Sequence, residues 1–203
     1  MEVLSYFGAK RKLENARLDR RVNRLAALLG FLWMSWSTLL LTGQGVSREY
    51  QLKAVLLYNL TQFVEWPSRA FETSESPFVV CVLGADPFGT VLDEAVRGER
   101  SNQRPIVIRR ISRIEEAGDA QVVFFGAGRR REVADALESL RGRPVLSVGD
   151  FDGFMRLGGM VRMEPTPDRK IKLRVNLGSA KSNGLTMSAK LLRVCTIVEA
   201  GNE

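Results

Sequence analysis

The sequence contains no histidine, and only two of its 203 residues, Cys81 and Cys195, are cysteines. A Ser-His-Asp or Cys-His catalytic arrangement needs an imidazole as its general base, so neither arrangement can form. Zinc sites are usually built from histidine and cysteine, and these two cysteines do not have the spacing of a metal motif. We therefore expect no metal, no cofactor and no enzymatic activity.

A nucleotide-binding loop is also missing. Residues 84–89 read Gly-Ala-Asp-Pro-Phe-Gly and lie between a predicted strand and a predicted helix, where a phosphate loop would lie. The segment fits neither G-x-G-x-x-G nor G-x-x-x-x-G-K-[S/T], and Pro87 has no N–H to donate to a phosphate. This segment predicts a tight strand-to-helix turn.

The part of the chain after residue 45 carries little excess positive charge. The formal net charge is +7, but residues 1–45 carry 7 Lys and Arg against 3 Asp and Glu, which leaves +3 for the rest of the chain. The dense basic cluster at 129–131 opens a helical pattern and is more typical of a solvated helix face than of a phosphate clamp. The composition therefore argues against a nucleic-acid partner.

One long hydrophobic run is present, from Leu25 to Leu41, with Arg24 before it and Gly43-Gln44-Gly45 after it. A basic stretch, an apolar stretch and a small-x-small site in this order are typical of a secretory signal peptide. The alternatives are an uncleaved membrane anchor and a buried core helix, although the run has no polar face. We expect residues 1–45 to be an export leader, over-long at its N-terminus, and residues 46–203 to be one periplasmic domain.

Apolar runs and helical patterns alternate along that domain. An amphipathic pattern over 46–66 predicts a first helix that ends near Glu65, before Pro67. Continuous apolar runs at 77–84, 105–111, 121–125 and 144–148 predict buried strands, and helical patterns separate them at 86–96, 112–116 and 129–140. Such alternation is typical of a parallel sheet that is covered on both faces. We expect an α/β fold, a single three-layer domain with helices on both faces.

The pattern changes after residue 150. Residues 160–164 and 170–176 flank a Pro-Thr-Pro-Asp turn, and the second run alternates strictly between apolar and polar residues. These features predict an antiparallel hairpin at the edge of the mostly parallel sheet. The tail predicts a final helix with Leu191, Leu192, Cys195 and Val198 on its apolar side.

The two cysteines are expected to be free thiols. Cys81 lies in a strand that is predicted to be buried, and Cys195 lies on the apolar side of the predicted final helix, so both can act as small hydrophobic residues. Export makes a disulfide between them the alternative.

Candidate ligand-binding residues follow the predicted strands, because ligands of open α/β sheets bind beyond the carboxyl ends of the strands. The candidates after the strands are Gly84, Asp86, Phe88, Gly126 and Asp150. Two further candidates, Arg174 and Asn176, lie in the hairpin, where they could bind an anion. The alternatives are ordinary turn chemistry for the aspartates and a solvated, charged sheet edge for the hairpin residues.

Several passages, in order, match a known family. They are residues 49–54 and 58–59, then Phe63-Val64-Glu65-Trp66-Pro67, residues 78–84 and 142–148, and then Gly158-Gly159-Met160, Val175-Asn176-Leu177 and Ser188-Ala189-Lys190-Leu191-Leu192. The aromatic-Val-Glu-Trp-Pro end of the first helix is the most specific of them. Over nearly all of 47–198 the sequence resembles the YfiR-like family of exported bacterial proteins.

The resemblance implies a periplasmic regulator that binds and restrains a membrane-bound diguanylate cyclase and so lowers cyclic-di-GMP signalling and biofilm output. It also implies a partner that is this cyclase or another membrane-anchored sensor protein. A homodimer is a separate option that the sequence leaves open. Relatives carry a cysteine pair around the Gly-Gly-Met segment, but residues 151–164 of this chain contain no cysteine. The alternative function is a periplasmic small-ligand sensor.

Overall fold

The computed structural model describes residues 46–198. In chain order the elements are α1 (Arg48–Phe63), β1 (Val64–Glu65), β2 (Phe78–Leu83), α2 (Thr90–Val96), β3 (Arg100–Ser101), β4 (Arg104–Ile111), β5 (Val122–Phe125), α3 (Arg130–Ser139), β6 (Leu146–Gly149), β7 (Val161–Pro165), β8 (Ile171–Asn176), α4 (Leu177–Ser182), β9 (Thr186–Met187), α5 (Ala189–Leu192) and β10 (Cys195–Val198). Single 3-10 turns lie at Ser68–Ala70 and Ile114–Ala117.

An eight-stranded sheet forms the centre, in the order β10-β8-β7-β6-β5-β2-β4-β3. The five strands from β7 to β4 are parallel to one another, while β8 runs antiparallel to β7 and β3 antiparallel to β4. A separate two-stranded antiparallel sheet joins β1 to β9. The prediction of a mostly parallel α/β sheet with an antiparallel hairpin is confirmed.

Alternate residues of the strands point to opposite sides of the sheet, and each side has its own core. On the side that we call the α1 face, Val80, Phe124 and Val148 pack with residues of α1 and α2 such as Leu57 and Leu92. On the opposite side, the α3 face, Val79, Cys81, Val123 and Phe125 pack with α3 residues that include Val133 and Leu137. Because both faces are covered, the central strands are continuous apolar runs.

The first helix ends two residues earlier than the pattern predicts. The N–H of Val64 still bonds to the Leu60 carbonyl, but Val64 is extended and begins β1, which pairs with β9. Trp66 follows, and its indole N–H donates to the Gln121 carbonyl at 3.1 Å. Its ring packs edge-on against Phe78, with the two ring centres 4.8 Å apart. The end of α1 is therefore fixed to the start of β5 and to β2.

The predicted final helix is wrong beyond Leu192. The helix α5 is one turn long, and residues 195–198 form β10, which pairs in parallel with β8. Four of the residues from 194 to 198 are the β-branched Val, Thr, Ile and Val, which favour a strand. The hairpin of β7 and β8 consequently lies one strand inside the sheet edge.

The two cysteines are far apart in this sheet. Cys81 is buried on the α3 face in β2, and Cys195 is half-buried on the α1 face in β10. Five strand steps separate β2 from β10, about 24 Å at the usual 4.8 Å per step. A disulfide needs Cα atoms within about 7 Å, so a bond between these cysteines within one chain is excluded.

The hydrophobic run at 25–41 lies outside the described residues. Within 46–198, the helices are too short or too polar to cross a membrane.

Candidate functional site

At the carboxyl ends of the neighbouring strands β2 and β5, the chain crosses to opposite faces of the sheet. After β2 the chain turns to the α1 face, where Leu92 of α2 packs. After the neighbouring strand β5 it turns to the α3 face, where Val133 of α3 packs. Ligands of open α/β sheets bind in the crevice between two such diverging loops. Gly84 and Gly126, both predicted as site residues, are the first residues after these two strands.

The two loops approach each other closely at this point. A Cβ placed on Gly126 would lie 2.4 Å from the backbone oxygen of Ala85, so only glycine fits there. Gly84 has a φ of +82°, a conformation that residues with side chains rarely adopt. The two glycines therefore close the base of the crevice between the loops.

A cavity of about 460 Å³ opens beside these glycines towards the α3 face. Phe125, Ile114 and Ala136 contribute apolar surface, and Arg113 and Glu132 contribute charge. Its volume is within the range of small-molecule sites in proteins.

Asp86 holds the loop that leaves β2. Its Oδ1 accepts the N–H of Phe88 at 2.8 Å, and its Oδ2 accepts the Arg110 Nε at 2.7 Å. The same guanidinium also bonds to Asp93 and to the Gly89 carbonyl, and hydrogen bonding from Arg110 lowers the pKa of Asp93. These contacts join the loop to β4 and α2, so Asp86 is used in turn chemistry.

Asp150 follows β6 and belongs to a buried polar cluster. Its Oδ2 lies 2.7 Å from the Nζ of Lys53, and Lys53 is only 1% exposed to solvent. Lys53 also contacts Glu49 at 2.5 Å and lies 4.5 Å from the ring centre of Tyr50. Desolvation, together with the neighbouring Asp150 carboxylate, raises the pKa of Tyr50 to about 12. The cluster joins the first turns of α1 to the carboxyl end of β6.

Sequence reasoning missed Lys53, although a signal was present. Lys53 stands between Tyr50 and Leu57 at helical spacing, on the side of α1 that faces the core. A lysine at a core-facing position needs a carboxylate partner, because an unpaired buried charge is costly. The sequence could have indicated that Lys53 needs a carboxylate partner. It could not have indicated which acidic residue of the chain provides it.

The two hairpin residues lie in different surroundings. Arg174 stands opposite Arg162 in the β7–β8 ladder, and its guanidinium lies 3.8 Å from Glu164. Arg162 is paired with Asp152. Asn176, the last residue of β8, is buried, and its side-chain oxygen accepts the N–H of Ser179 and so caps α4.

The predicted site residues are therefore only partly brought together. Gly84, Asp86, Gly126 and Asp150 follow the carboxyl ends of parallel strands, and Phe88 lies in the same region. Phe88, however, is fully buried against Tyr50 and Phe124 and is a core residue. Across the part of the chain that the structure describes, His, Cys, Asp and Glu form no group of three that could hold a metal ion.

The comparisons with known proteins give one family. A family model described as YfiR/HmsC-like matches residues 50–196. No curated protein matches the chain. The solved structures that match include the ABC domain in complex with L-Trp from Streptococcus pneumonia, at 9% sequence identity and a TM-score of 0.44; the match covers 73% of this chain and 60% of that one.

Proposed function

The chain belongs to the YfiR/HmsC-like family, and we propose from this that it is a periplasmic regulator. In this proposal it binds the periplasmic part of a membrane-anchored diguanylate cyclase and restrains its output. The observation that carries the proposal is the family match, which extends over residues 50–196 and so includes almost the whole described domain. Proteins of this family are regulatory rather than catalytic, in agreement with a sequence that has no histidine.

Export is part of the proposal. The basic and then apolar leader supports secretion, with a mature N-terminus near Val46. Fractionation of the native host followed by N-terminal sequencing tests this. A full-length species that stays in the inner membrane would show that residues 25–41 are an anchor.

The test of the regulatory role is genetic and biochemical. We expect deletion of the gene to raise cellular cyclic-di-GMP, and the tagged full-length protein to recover a membrane-anchored cyclase from solubilised membranes. Unchanged cyclic-di-GMP together with no recovered cyclase would contradict the proposal.

Surface variants make the recovery experiment sharper. Leu52 on α1 and Val107 on β4 are about equally exposed, at 39% and 38%, and lie on different parts of the surface. Leu52→Glu and Val107→Glu therefore form a matched pair in which one change serves as the control for the other. A loss of recovery by one variant alone locates the contact, and a loss by both indicates a folding defect.

A second candidate function is a small-ligand sensor, which the cavity beside Gly84 and Gly126 favours. Thermal shift against amino acids, nucleotides and cell-wall fragments tests it, since a ligand at 100 times its Kd stabilises the folded state by about 2.7 kcal/mol. Ala127→Trp, at the cavity wall, should abolish the shift, while Lys181→Trp on the exposed side of α4 should not. No shift with any compound class would remove this candidate.

A further inference from the structure

Two arginines stand side by side on the α3 face of the sheet. Arg162 of β7 and Arg174 of β8 are directly opposite each other in the antiparallel ladder, so their side chains leave the same face. Arg162 is only 6% exposed, and the Arg174 side chain is 23% exposed. Like charges at directly opposite positions destabilise a sheet. The pair therefore costs stability unless negative charge compensates it.

The carboxylates of the hairpin region compensate only part of this charge. Asp152 pairs with Arg162, but the Asp152 side chain is 88% exposed, so water weakens the pair. Glu164 lies 3.8 Å from the Nη1 of Arg174, which is beyond hydrogen-bonding distance. Among residues 46–198, the buried Nε of Arg174 finds no hydrogen-bond acceptor. Such a buried donor is rare in folded proteins, and an ion or a water molecule usually satisfies it.

The loop that follows β6 folds back over the α3 face beside this pair. Gly149 is the β6 neighbour of Arg162, and a Cβ placed on Gly149 would lie 2.8 Å from the ring of Phe154. The phenyl ring therefore fills the space above the glycine. Asp152 belongs to the same loop and reaches the guanidinium group of Arg162. The loop thus borders the arginine pair.

Two further arginines meet in this loop. A Cβ placed on Gly153 would lie 3.1 Å from the Nη1 of Arg130 and 3.2 Å from the Nη2 of Arg156. Arg130 is the first residue of α3, where the helix dipole disfavours a positive charge. The sequence pattern favoured a solvated helix face for the basic run at 129–131, but the fold brings Arg156 close to Arg130. Positive charge from several elements is therefore gathered around one loop.

We propose that Arg130, Arg156, Arg162 and Arg174, which we call the arginine cluster, bind a phosphate group. A guanidinium group donates two parallel hydrogen bonds to phosphate, and the tetrahedral oxygens of phosphate accept from several directions at once. A carboxylate has two oxygens in one plane and cannot serve guanidinium groups that come from a helix, a loop and two strands. None of the four arginines lines the cavity beside Gly84 and Gly126, so this is a separate site.

Two sources carry the same phosphate chemistry, a soluble phosphate ester and the headgroup of an anionic membrane lipid. Both are tested below with a defined probe. The site goes beyond the proposed regulatory function and does not depend on it, because binding is measured on the purified protein without a cyclase.

Isothermal titration with glycerol 3-phosphate, on protein expressed from its full-length gene, tests the soluble source. We expect saturable binding at one site, with no binding of acetate at the same ionic strength. The Kd should rise at least about tenfold in Arg130→Glu, because a charge-assisted hydrogen bond is lost and repulsion is added. Arg131→Glu is the matched control, since it is the next exposed residue of α3 and changes the net charge equally. An equal rise in both variants would overturn the proposal, because it indicates attraction by net charge alone.

Co-sedimentation with vesicles tests the lipid source. If the headgroup is the ligand, the protein should sediment with phosphatidylglycerol vesicles and stay in solution with phosphatidylcholine vesicles. Arg130→Glu should lose the sedimentation and Arg131→Glu should retain it. Binding to either probe with this difference between the variants supports the proposal and identifies the source. No binding to glycerol 3-phosphate and none to phosphatidylglycerol would overturn it.

Arg174→Met distinguishes binding from a role in the fold. The change removes the like charge opposite Arg162 and keeps an apolar stem, so without a probe the variant should melt at or above the temperature of the parent. The probe that binds should raise the melting temperature of the parent but not of Arg174→Met. Arg109→Met, on the same face of β4 and far from the cluster, is the control and should keep the rise. Melting well below the parent without a probe, or an undiminished rise in Arg174→Met, would overturn the proposal.

Discussion

The Nζ of Lys53 lies 2.7 Å from the Oδ2 of Asp150, although 97 positions separate the two residues in the sequence. The lysine is on the core-facing side of α1, and the aspartate follows β6. Glu49, one turn earlier on α1, provides a second carboxylate for the same ammonium group at 2.5 Å. The pair ties α1 to the end of the sheet where the loops of the candidate site lie.

The buried pair leads to a prediction about charge compensation. Lys53→Met should lower the free energy of unfolding by about 3–5 kcal/mol, because Asp150 would remain buried without its partner. The double variant Lys53→Met with Asp150→Leu should recover most of that loss. Chemical denaturation of the single and double variants measures both effects. A double variant that is less stable than Lys53→Met would show that the pair is not the reason for the loss.

Trp66 is expected to contribute strongly to stability. Trp66→Ala removes the edge-on contact with Phe78 and the hydrogen bond to Gln121, and should cost about 3 kcal/mol or more of unfolding free energy. Trp66→Phe keeps an aromatic ring and loses the hydrogen bond, which should cost about 1 kcal/mol. Thermal melting distinguishes the two. If Trp66→Ala melts at the same temperature as the parent, the ring does not pack as described.

The close approach of the two loops at the candidate site predicts an asymmetric response to alanine. Gly126→Ala places a Cβ 2.4 Å from the Ala85 backbone oxygen, so the loops must separate, at a cost of about 1–3 kcal/mol. At Gly128 the nearest atom, Val133 Cγ2, would be 3.5 Å away, an ordinary contact. Denaturation midpoints should fall for Gly126→Ala and stay nearly constant for Gly128→Ala. Equal midpoints for the two variants would contradict this geometry.

Both cysteines should be free thiols in the purified monomer. The separation of about 24 Å between β2 and β10 prevents a bond within the chain. Thiol counting in denaturant without reductant should give two thiols per chain. A count of zero would contradict the sheet order or reveal bonds between chains, and electrophoresis under the same conditions would separate these two cases.

The burial of Cys81 predicts a loss of stability at alkaline pH. Desolvation raises the pKa of its thiol to about 11, from 9.0 in the unfolded chain. Between these values the unfolded state releases the proton first, so the unfolding free energy falls with rising pH, by at most about 1.4 kcal/mol per pH unit for this group. Below pH 8 the thiol contributes no pH dependence.

Denaturation curves at pH 8 and pH 10 test this effect. Cys81→Ala serves as the control, because it removes this thiol and should make the unfolding free energy fall less steeply with pH. Burial also raises the pKa of the Cys195 thiol to about 11, and this residue is present in both proteins. Identical pH dependence in the parent and in Cys81→Ala would show that Cys81 is not protected in the folded state.

Local sequence patterns were sufficient for most of the sheet. The runs at 77–84, 121–125 and 144–148 became β2, β5 and β6, because strands covered on both faces have to be apolar at every position. The order of these strands could not be read in the same way. That β2 lies between β4 and β5 depends on the faces to which the loops cross, and this decides that Gly84 and Gly126 meet.

The tail shows where periodicity alone misleads. Leu191, Leu192, Cys195 and Val198 have helical spacing, yet residues 195–198 pair with β8. The unpaired outer side of β8 decided this outcome, since a strand there satisfies backbone groups that a helix would leave unpaired. The alternative of a disulfide between Cys81 and Cys195 fails for the same reason, because β10 joined the sheet far from β2.

The sequence by itself determined the fold class, the family resemblance and the absence of histidine chemistry, because composition and local periodicity are properties of the chain alone. Only the tertiary structure decided that Lys53 meets Asp150, that Phe88 is a core residue and that Asn176 caps α4. Each of these contacts joins positions or layers that are set by strand order and by loop crossings. The free energy that selects them comes from burial and pairing across the whole domain, which no local segment contains.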